Sequence, residues 1–357
     1  MEKLVVIDGN FWLFSCYYAT AAMGNLMVNK DGVPTNAVYG FANRLESLLK
    51  QNPEYIVVAF DAKGKTFRSE LLEEYKGTRK PTPDELVCQF SIIREYLEAH
   101  HIPYIEKEGY EGDDIIGTIS KKASSQGMEV AVYTNDKDMM QLIDSNVKQY
   151  KKPQKTNDYE VITVESFKEK YNLEPDQMRD LLGLMGDSAD NIPGIPGIGE
   201  KTATKLIKEF KTLENAYAHI DEVKPNRAKN NLQEYYDQGV MSKELATIKL
   251  DSPIDITFEE AKLGNLYTKE AYHMLKELEF KAILKRFDGE EQEDFEVKIK
   301  EIVDLAEAED IFAKTAKKKE AGISIYKEND AMWVALNTEG EEVYLFRCEG
   351  FGFLTED

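Results

Sequence analysis

Three short apolar segments in the first half of the chain each run into acidic residues. Each is rich in Val, Ile or aromatic residues with little polar alternation, which is typical of parallel strands covered on both faces. Helical patterns, such as Val38–Leu49 and Ile92–Ala99, separate the segments. This alternation predicts an open, mostly parallel α/β sheet with flanking helices. The segments with their acids are Leu4–Ile7 with Asp8, Tyr55–Phe60 with Asp61, and Val130–Tyr133 with Asp136 and Asp138.

Two further acidic motifs are expected at the same edge of this sheet. Glu111 and Asp114, with Asp113 between them, and likewise Asp187 and Asp190, have the i,i+3 spacing that places two side chains on one helix face. Taken singly, each acid is more often a turn residue or a helix N-cap. In open α/β sheets, however, ligands bind at the carboxyl ends of the strands, where these acids are expected to converge.

Nine carboxylates at one edge would repel each other unless cations neutralised them. Oxygen-only ligation suits Mg²⁺ or Mn²⁺, and two such ions roughly 4 Å apart form the clamp used for phosphodiester hydrolysis. The sequence therefore predicts a site for two or more of these ions. The predicted metal-site acids are Asp8, Asp61, Glu111, Asp113, Asp114, Asp136, Asp138, Asp187 and Asp190.

The charge of the chain is unevenly distributed. The net charge of −21 over 357 residues excludes a nucleic-acid binder that depends on a basic tail. Residues 288–357 carry 20 acidic and 8 basic side chains, which leaves 46 acidic and 37 basic side chains for residues 1–287. Without the nine clustered acids this first part is neutral, so its acidity resides in the predicted site.

The composition excludes several other classes of protein. Apolar residues at 42% and aromatic residues at 10% are ample for a packed interior, which excludes wholesale disorder. The three cysteines are scattered and the histidines number four, which argues against a disulfide framework and a zinc site. The first residues lack a signal pattern, and no apolar run approaches the roughly 18 residues that span a bilayer. We therefore expect a cytoplasmic protein with no membrane partner.

Two stretches have the composition of nucleic-acid contacts. A glycine-rich turn precedes the predicted helix Ala203–Phe210; its glycines let the backbone approach a phosphate, and the helix N-terminus offers free N–H donors. Such contacts position a duplex without reading its bases. An ordinary glycine-rich turn with solvated lysines is the alternative interpretation. The candidate residues of this turn are Gly194, Gly197, Gly199, Lys201, Thr202 and Lys205.

The second stretch, residues 63–85, is dense in cations and is closed by two prolines. It combines aromatic and basic side chains, the mixture that grips single-stranded nucleic acid. Beside a two-metal site it could also draw a phosphate toward the ions. A solvated surface helix is the alternative. The candidate residues are Lys63, Arg68, Tyr75, Lys76, Arg79 and Lys80.

The first 287 residues contain a series of distinctive motifs. They are Val6-Ile-Asp8-Gly-Asn, Ala37-Val-Tyr-Gly-Phe41, Phe60-Asp-Ala-Lys63 with Thr66-Phe-Arg68, Tyr75-Lys-Gly-Thr-Arg-Lys-Pro81, Glu108-Gly-Tyr-Glu-Gly-Asp-Asp114, Thr134-Asn-Asp-Lys-Asp138 and Gly186-Asp187 continuing to Gly194, with Gly197-Ile-Gly-Glu-Lys-Thr-Ala203. Together these motifs resemble the 5′ nuclease domain of bacterial DNA polymerase I, a relative of the flap endonucleases. The resemblance covers about residues 1–287 and implies a PIN-like 5′ nuclease fold with a helix–three-turn–helix motif in a helical second half.

The resemblance implies a role for each candidate. Lys76 and Arg79 would act in catalysis and line a helical arch through which the 5′ strand passes. The turn at Gly194–Gly199 would bind the duplex backbone together with a K⁺ ion. Tyr39 would stack on a base, although packing of its helix is at least as good an explanation. The metal ligands would be Asp8, Asp61, Glu111 and Asp113 for the first ion and Asp113, Asp136, Asp138 and Asp187 for the second, with Asp114 and Asp190 in an outer shell.

Three positions depart from the family pattern, and none removes a metal ligand. Ser15 stands where the family usually has an arginine that could steady the phosphate, so the rate is expected to fall unless Arg44 or Arg68 substitutes. Gly112 replaces an alanine, which could loosen the helix start. Ala189 replaces a serine and so lacks a hydroxyl that could support a metal ligand.

Four parts of the chain are predicted from these observations and from the resemblance. The chain stops abruptly, which favours the N-terminal piece of a longer polymerase. Its last part resembles the beginning of a 3′→5′ exonuclease-like domain, but Gly322–Tyr326 lacks the acid-x-acid pair of a proofreading site. The parts are a catalytic domain at 1–170 with a basic arch at about 63–100, a helical DNA-binding region at 171–287, an acidic linker at 288–310 and a degenerate exonuclease-like segment at 311–357.

The sequence thus predicts a metal-dependent, structure-specific 5′ nuclease, a 5′→3′ exonuclease and flap endonuclease. Its partners would be DNA with a 5′ flap, nick or gap, including RNA-primed ends, in replication and repair, and a polymerase domain in the same full-length chain. Two alternatives remain: a catalytically silent flap-binding module, and an RNA-cleaving nuclease of related fold. The helical region 171–287 argues against the second, because such nucleases need no duplex-binding module.

Overall fold

The computed structural model describes residues 2–21, 26–153, 158–285, 287, 298–318, 321–328, 331–337 and 342–348. The chain forms two compact units, residues 1–288 and residues 289–357, and each is described here by itself. None of the helices in these ranges is long and apolar enough to cross a membrane.

A six-stranded sheet is the centre of the first unit. Its order is β3-β2-β1-β4-β5-β6, and all neighbours are parallel except β5 and β6. The predicted strands β1, β2 and β4 are confirmed and lie side by side at its middle. β3, β5 and β6 lie toward the edges and lack a continuous apolar run. The strands are β1 Lys3–Asp8, β2 Tyr55–Ala59, β3 Tyr104–Ile105, β4 Glu129–Tyr133, β5 Val147–Lys151 and β6 Glu160–Ile162.

Fourteen helices of the first unit lie in the described ranges, together with short 3₁₀ turns at Asp138–Leu142, Pro175–Gln177 and Ile220–Glu222. The helices are α1 Gly9–Ala21, α2 Asn36–Leu49, α3 Phe67–Leu71, α4 Asp84–Val87, α5 Gln89–Ala99, α6 Gly112–Ser125, α7 Val164–Tyr171, α8 Met178–Met185, α9 Glu200–Phe210, α10 Leu213–Ala218, α11 Asn226–Glu234, α12 Tyr236–Ala246, α13 Lys269–Glu277 and α14 Lys281–Leu284.

Each face of the sheet has its own apolar core. Val5 and Ile7 point to the face covered by α1, α2 and α5, whereas Leu4 and Val6 point to the face covered by α6. Both faces of β1 are therefore buried, which explains why its sequence is continuously apolar. This double covering leaves the carboxyl end of the strand as the place where a polar residue can reach solvent.

A third core holds together the helices that follow the sheet. Along α9 the residues Ala203, Leu206, Ile207 and Phe210 are buried in this core, and the intervening lysines are exposed. The i, i+3, i+4, i+7 spacing of these apolar residues gives the helix one face for packing and one for solvent. The predicted helical region is thus confirmed from α7 onward.

The end of this helical region returns to the sheet, which corrects the predicted extent of the DNA-binding part. Ala261 accepts a hydrogen bond of 2.8 Å from the backbone of Ile56 at the start of β2, and Phe280 is buried in the core beneath α1 and α2. Residues 248–285 therefore cover the α/β core rather than extend the helical part. An amphipathic pattern shows that a segment packs, but not against which surface.

The basic arch is also shorter than predicted. In α5 the residues Ile93, Tyr96 and Leu97 are fully buried in the core of the sheet, so the part of the predicted range 63–100 that belongs to α5 is structural. Only the stretch from Lys63 to α4 lies outside that core and can serve as the cationic excursion.

The second unit is a four-stranded sheet with one helix, in the order β7-β10-β9-β8. Strand β9 pairs antiparallel with both β8 and β10, and β7 adds a parallel neighbour to β10. The predicted linker 288–310 is therefore wrong from residue 298 onward, while residues 288–297 lie outside the described residues. The elements are β7 Lys298–Ile302, α15 Leu305–Thr315, β8 Gly322–Glu328, β9 Ala331–Asn337 and β10 Glu342–Cys348.

Candidate functional site

The carboxylates predicted from the strand ends converge at the carboxyl edge of the central sheet. Asp8 is the last residue of β1 and is buried, and Asp61 follows β2. Asp8 accepts hydrogen bonds from the backbone N–H of Phe11 (2.8 Å) and from the hydroxyl of Thr134 (2.7 Å). Thr134 follows β4, so this bond ties the ends of two neighbouring strands together.

The start of α6 brings the second group of acids to the same edge. The backbone N–H of Gly112 donates to Asp61 Oδ1 at 2.7 Å, and Asn10 Nδ2 donates to Asp61 Oδ2 at 2.6 Å. A Cβ atom on Gly112 would lie 3.3 Å from that same Oδ1, so the glycine permits a close approach here. Asp113 is the next residue of α6, at the helix N-terminus.

The acids at this edge raise one another's pKa. Burial is the largest cause, and the neighbouring charges of Asp136 and Asp61 add to it, so that the pKa of Asp8 is raised to about 7. Burial and the charge of Asp136 raise the pKa of Asp113 and of Asp138 well above the ordinary aspartate value. Burial also raises the pKa of Asp136 itself. These carboxylates lack enough positive charge around them, as expected for a cation site.

The raised pKa of Asp8 predicts a specific dependence of stability on pH. Folded protein keeps the Asp8 proton up to about pH 7, whereas unfolded chain releases it near pH 4, so the stabilisation is complete below pH 4 and is lost as the pH rises to 7. Relative to Asp8→Asn, wild type should lose up to about 4 kcal/mol across this window. Thermal denaturation in EDTA between pH 4 and pH 8 measures the difference.

The control for this prediction is Asp84→Asn, which changes an exposed carboxylate in the first turn of α4. Its stability should follow that of wild type at every pH. Parallel pH profiles for Asp8→Asn and wild type would contradict the raised pKa of Asp8.

A cationic segment lies directly on the carboxylates. Lys76 Nζ is 2.9 Å from Glu111 Oε2, and the Arg79 guanidinium donates to Asp190. The backbone N–H of Lys76 also donates to the carbonyl of Asp190 at 2.9 Å. The structure thus brings both residues predicted to act in catalysis into the site, with their charges directed at two of the predicted metal-site acids.

Tyr75 anchors this segment rather than offering a surface for DNA. Its side chain is buried, its residue exposure is 9%, and its hydroxyl donates to Glu111 Oε2 at 3.1 Å. Burial and the charge of Glu111 raise the pKa of this phenol, so it stays a neutral donor. The ring belongs to the core of the helical part, which corrects the expectation that Tyr75 contacts DNA.

Arg68 is likewise a support and not a DNA contact, which is a second correction. Its guanidinium donates to both oxygens of Asp114 at 2.7 and 2.8 Å, and to the carbonyls of Leu245 and Thr247. The side chains of Arg68 and Asp114 are only 3% and 0% exposed. Although burial opposes the charge of Arg68, its bonds to Asp114 prevail and raise the pKa of the guanidinium. Both carboxylate oxygens of Asp114 are therefore bound by Arg68, and this ion pair holds the start of α6 in place.

The tight loop Asp187–Ile192 supplies the last two acids. The backbones of Asp187 and Ile192 exchange hydrogen bonds of 2.9 and 2.7 Å. Gly186 and Gly194 close the loop with positive φ angles of 74° and 61°, and a Cβ on Gly194 would lie 2.2 Å from the backbone nitrogen of Gly186. Only glycine fits such a crossing.

The carboxylates of this loop face three cations. Asp187 Oδ2 lies 3.1 Å from Lys137 Nζ. Asp190 pairs with Arg79, and its Oδ2 lies 3.8 Å from Lys76 Nζ. Ala189 is exposed and contacts Asp187 only through its backbone N–H, at 2.9 Å. Asp187 therefore receives its hydrogen bond at position 189 from the main chain, which does not depend on the side chain there.

The donor set of this edge fits a divalent cation that prefers oxygen. It consists of carboxylates, and Asp138 Oδ1 is buried without a hydrogen-bond partner, which leaves one acceptor open. No three acidic, His or Cys side chains in the described ranges are arranged to enclose an ion as they stand. Lys76, Arg79 and Lys137 form ion pairs with Glu111, Asp190 and Asp187, whereas no ion pair of the described residues involves Asp8, Asp113, Asp136 or Asp138.

The predicted duplex-binding turn is built as an exposed cap on the helical part. Gly194 donates to the hydroxyl of Ser242 at 3.0 Å, and Gly197 has a φ angle of 75°. Gly199 is the residue before α9, and a Cβ there would meet no atom within 4 Å. The turn is thus fixed at Gly194, and the space beside Gly199 is open, whereas a Cβ on Gly197 would lie 3.0 Å from Asn231 Nδ2. The side chains of Lys201 and Lys205 are exposed, and Thr202 is half-buried.

The other residues predicted to contact DNA are Lys63, Lys80 and Tyr39. Lys63 and Lys80 are exposed, with no role fixed by the structure. The ring of Tyr39 packs edge to face on Phe280, with centroids 5.0 Å apart, which accounts for this residue by packing. Stacking of Tyr39 on a base stays a prediction.

Sequence reasoning gave no role to three residues that the structure places in the site. Asn10, Thr134 and Lys137 each bind one of the carboxylates, Asp61, Asp8 and Asp187 respectively. All three lie within three residues of a predicted metal-site acid in the sequence. A polar residue within two or three positions of a predicted ligand is the signal that could have identified them.

Two protein-family models match consecutive parts of the chain. Residues 3–172 match the 5′-3′ exonuclease N-terminal resolvase-like domain, and residues 173–270 match the 5′-3′ exonuclease C-terminal SAM fold. The boundary between them falls directly after α7.

The chain is similar to DNA polymerase I of several bacteria. It is 44% identical to the Bacillus subtilis protein over 293 residues and 42% identical to the Bacillus caldotenax protein over 294 residues. Each match covers 82% of this chain but 33% of the relative. The chain therefore spans about a third of the length of the curated relatives that it matches.

Solved structures share the fold at low identity. The 5′-exonuclease of phage T5, solved with bound zinc, matches with a TM-score of 0.57 and 21% identity, over 80% of this chain and all of that one. The catalytic core of Rad2 in complex with a DNA substrate matches with a TM-score of 0.52 and 18% identity, over 78% of this chain and 88% of that one.

Proposed function

From the premise that this chain belongs to the 5′-3′ exonuclease family, we propose that it is a structure-specific 5′ nuclease. It would bind DNA with a 5′ flap, nick or gap, including RNA-primed ends, and hydrolyse a phosphodiester near the junction. The observation that carries the proposal is the convergence of carboxylates with raised pKa values and a cationic segment at one edge of the sheet.

The metal ions of the proposed reaction are two or more Mg²⁺ or Mn²⁺. When bound, such ions would supply the charge that activates the attacking water and stabilises the leaving oxygen. The carboxylates best suited to hold the ions are those whose negative charge is least compensated by lysine and arginine side chains. These are Asp8, Asp113, Asp136 and Asp138, and Asp61, Glu111 and Asp187 would complete the set. Asp114 and Asp190 would support this set through Arg68 and Arg79.

Lys76 and Arg79 would serve the substrate strand. Both cations are already held at the edge where the scissile phosphate would lie, so they can compensate the negative charge that develops on its oxygens. Their present partners, Glu111 and Asp190, would keep them in place until the phosphate arrives. Holding the reacting groups in position lowers the entropic cost of bringing them together.

Duplex DNA would be held at the open turn Gly194–Gly199. Free N–H groups at the start of α9 and the exposed Lys201 and Lys205 suit contacts to phosphates, which position a duplex without reading its sequence. A K⁺ ion at this turn, a cytoplasmic location and action together with a polymerase domain of the same chain are further parts of the proposal. The DNA polymerase I relatives support the last of these.

The test is cleavage of a 5′-flap DNA whose flap strand is labelled at its 3′ end. We expect a cut near the base of the flap in Mg²⁺ or Mn²⁺ and none in EDTA. A single-stranded RNA of matched sequence should stay intact. Flap binding without product in either metal would make the chain a binding module, and cleavage of the RNA with the flap DNA intact would make it an RNA nuclease.

A further inference from the structure

Asn191 joins the tight loop Asp187–Ile192 to the cationic segment that lies on the carboxylates. Its side-chain Nδ2 donates to the carbonyl of Glu74 at 2.7 Å, across 117 positions of the sequence. In the opposite direction, the backbone N–H of Lys76 donates to the carbonyl of Asp190 at 2.9 Å. These two reciprocal hydrogen bonds form a clasp between two stretches of chain that are remote in sequence.

The backbone on both sides of the clasp is shaped for this contact. Lys76 and Asn191 have positive φ angles of 55° and 56°, which turn the chain sharply where the two stretches meet. The carbonyl of Glu74 also accepts from the N–H of Gly77 at 2.9 Å, so a turn fixes the acceptor of the clasp. Asparagine adopts a left-handed conformation more readily than most residues, and its amide can donate. Position 191 uses both of these properties.

The clasp differs from the ion pairs of the same segment, because both of its bonds join neutral groups. Lys76 and Arg79 pair with carboxylates that belong to the predicted metal site. The Arg79 side chain is 50% exposed, so salt screens its pair, and bound metal ions would compete with Lys76 for Glu111. An amide–carbonyl bond carries no net charge and is not subject to this competition. The clasp can therefore hold the cationic segment in place while the ions are bound.

We propose that Asn191 is a positioning residue for the cleavage step. It keeps Lys76 and Arg79 beside the carboxylates after metal ions have taken up the negative charge that attracts these cations. The inference rests on the proposed nuclease function and adds to it a residue that acts through the cationic segment and not through the substrate. Since the clasp sets where the segment lies, its loss should slow the reaction without removing any reacting group.

The rival explanation is that Asn191 only shapes the loop that carries Asp187 and Asp190. The two explanations differ in what they predict when the cations are absent. A residue that acts through Lys76 and Arg79 has no further effect once both are removed, whereas a residue that shapes the loop keeps its effect.

The experiment measures single-turnover cleavage of the 5′-flap DNA in Mg²⁺ and the affinity for this DNA in EDTA. The test variant is Asn191→Gly, because glycine keeps the positive φ and removes only the amide. We expect its cleavage rate to fall about tenfold, with flap affinity and melting temperature close to those of wild type. An unchanged cleavage rate would overturn the proposal.

The matched control is Asn172→Gly. Asn172 is exposed at the end of α7 and has a φ angle of 55°, so the same substitution is made in the same backbone conformation away from the site. This variant should cleave at the wild-type rate. A tenfold loss here as well would assign the effect to glycine in the backbone and overturn the role of the amide.

The change Asn191→Gly is then repeated in a protein that already carries Lys76→Ala and Arg79→Ala. In this background we expect it to alter the cleavage rate by less than about twofold. A tenfold loss that persists without the two cations would overturn the proposal in favour of the loop-shaping explanation.

Hydrogen exchange of the Lys76 amide tests the clasp without any reaction. In Mg²⁺ and without DNA, wild type should protect this amide, and Asn191→Gly should raise its exchange rate about tenfold. Equal exchange in the two proteins would overturn the clasp even if wild type cleaves the flap DNA. A difference in exchange without cleavage by wild type would support the clasp and refute the nuclease function.

Discussion

Replacing Asp113 by asparagine is expected to lower the rate of Mg²⁺-dependent flap cleavage by at least about a thousandfold. Asp113 is central among the carboxylates, since its pKa is raised by burial and then by the charges of Asp136, Asp8 and Glu111. Asparagine has nearly the same shape but no charge, so the cluster loses the attraction for metal ions that this residue supplies. Single-turnover cleavage of the flap DNA measures the loss.

The control for Asp113→Asn is Asp176→Asn, which changes an exposed aspartate in the 3₁₀ turn Pro175–Gln177. It should cleave at the wild-type rate. Flap binding by Asp113→Asn in EDTA should be equal to or tighter than that of wild type, because one negative charge near the substrate is removed. A wild-type cleavage rate for Asp113→Asn would show that the predicted carboxylate site is not the place of reaction.

Replacing Arg68 by alanine is expected to destabilise the protein by about 3–5 kcal/mol. The change leaves Asp114 buried without its cation, and it also frees the carbonyls of Leu245 and Thr247. Since these groups join α3, α6, the last turn of α12 and the residue that follows it, the whole first unit should be destabilised. Thermal denaturation should show a melting temperature lower by roughly 6–15 °C.

An exposed ion pair provides the comparison for Arg68. Lys168 and Glu174 lie 2.9 Å apart with side chains 47% and 57% exposed, so Lys168→Ala should cost less than about 1 kcal/mol. Equal effects of the two changes would mean that Asp114 is neutralised in some other way when Arg68 is absent. Flap binding by folded Arg68→Ala at low temperature should persist, because the side chain does not reach the surface.

The convergence of the acids was predictable because it follows from topology. Once Leu4–Ile7, Tyr55–Phe60 and Val130–Tyr133 are read as parallel strands, the residues after them must meet at one edge. Asp8 and Asp61 could therefore be placed without knowing any side-chain contact. Strand β5, which lies between β4 and the edge strand β6, lacked this signal, since its sequence Val147–Lys151 mixes two apolar residues with a glutamine and two lysines.

The role of Arg68 could not be predicted because its partners are remote in sequence. It stands in a stretch dense in lysine and arginine, which favours an exposed cation, but its partner Asp114 is 46 residues away and Thr247 is 179 residues away. The same limit applies to Ser15. Its local sequence indicates a lost cation, and only the packing of α1 on α2 shows that Arg44 reaches it.

The crossing of Gly186 and Gly194 bears on how the proposed nuclease would choose the bond that it cuts. Asp187 and Asp190 lie inside the loop that these glycines close, and the predicted duplex-binding turn begins at Gly194 itself. In the proposed function, this close backbone crossing would hold the turn at a fixed distance from the carboxylates. The cut would then lie a set number of nucleotides from the bound duplex, whatever the base sequence.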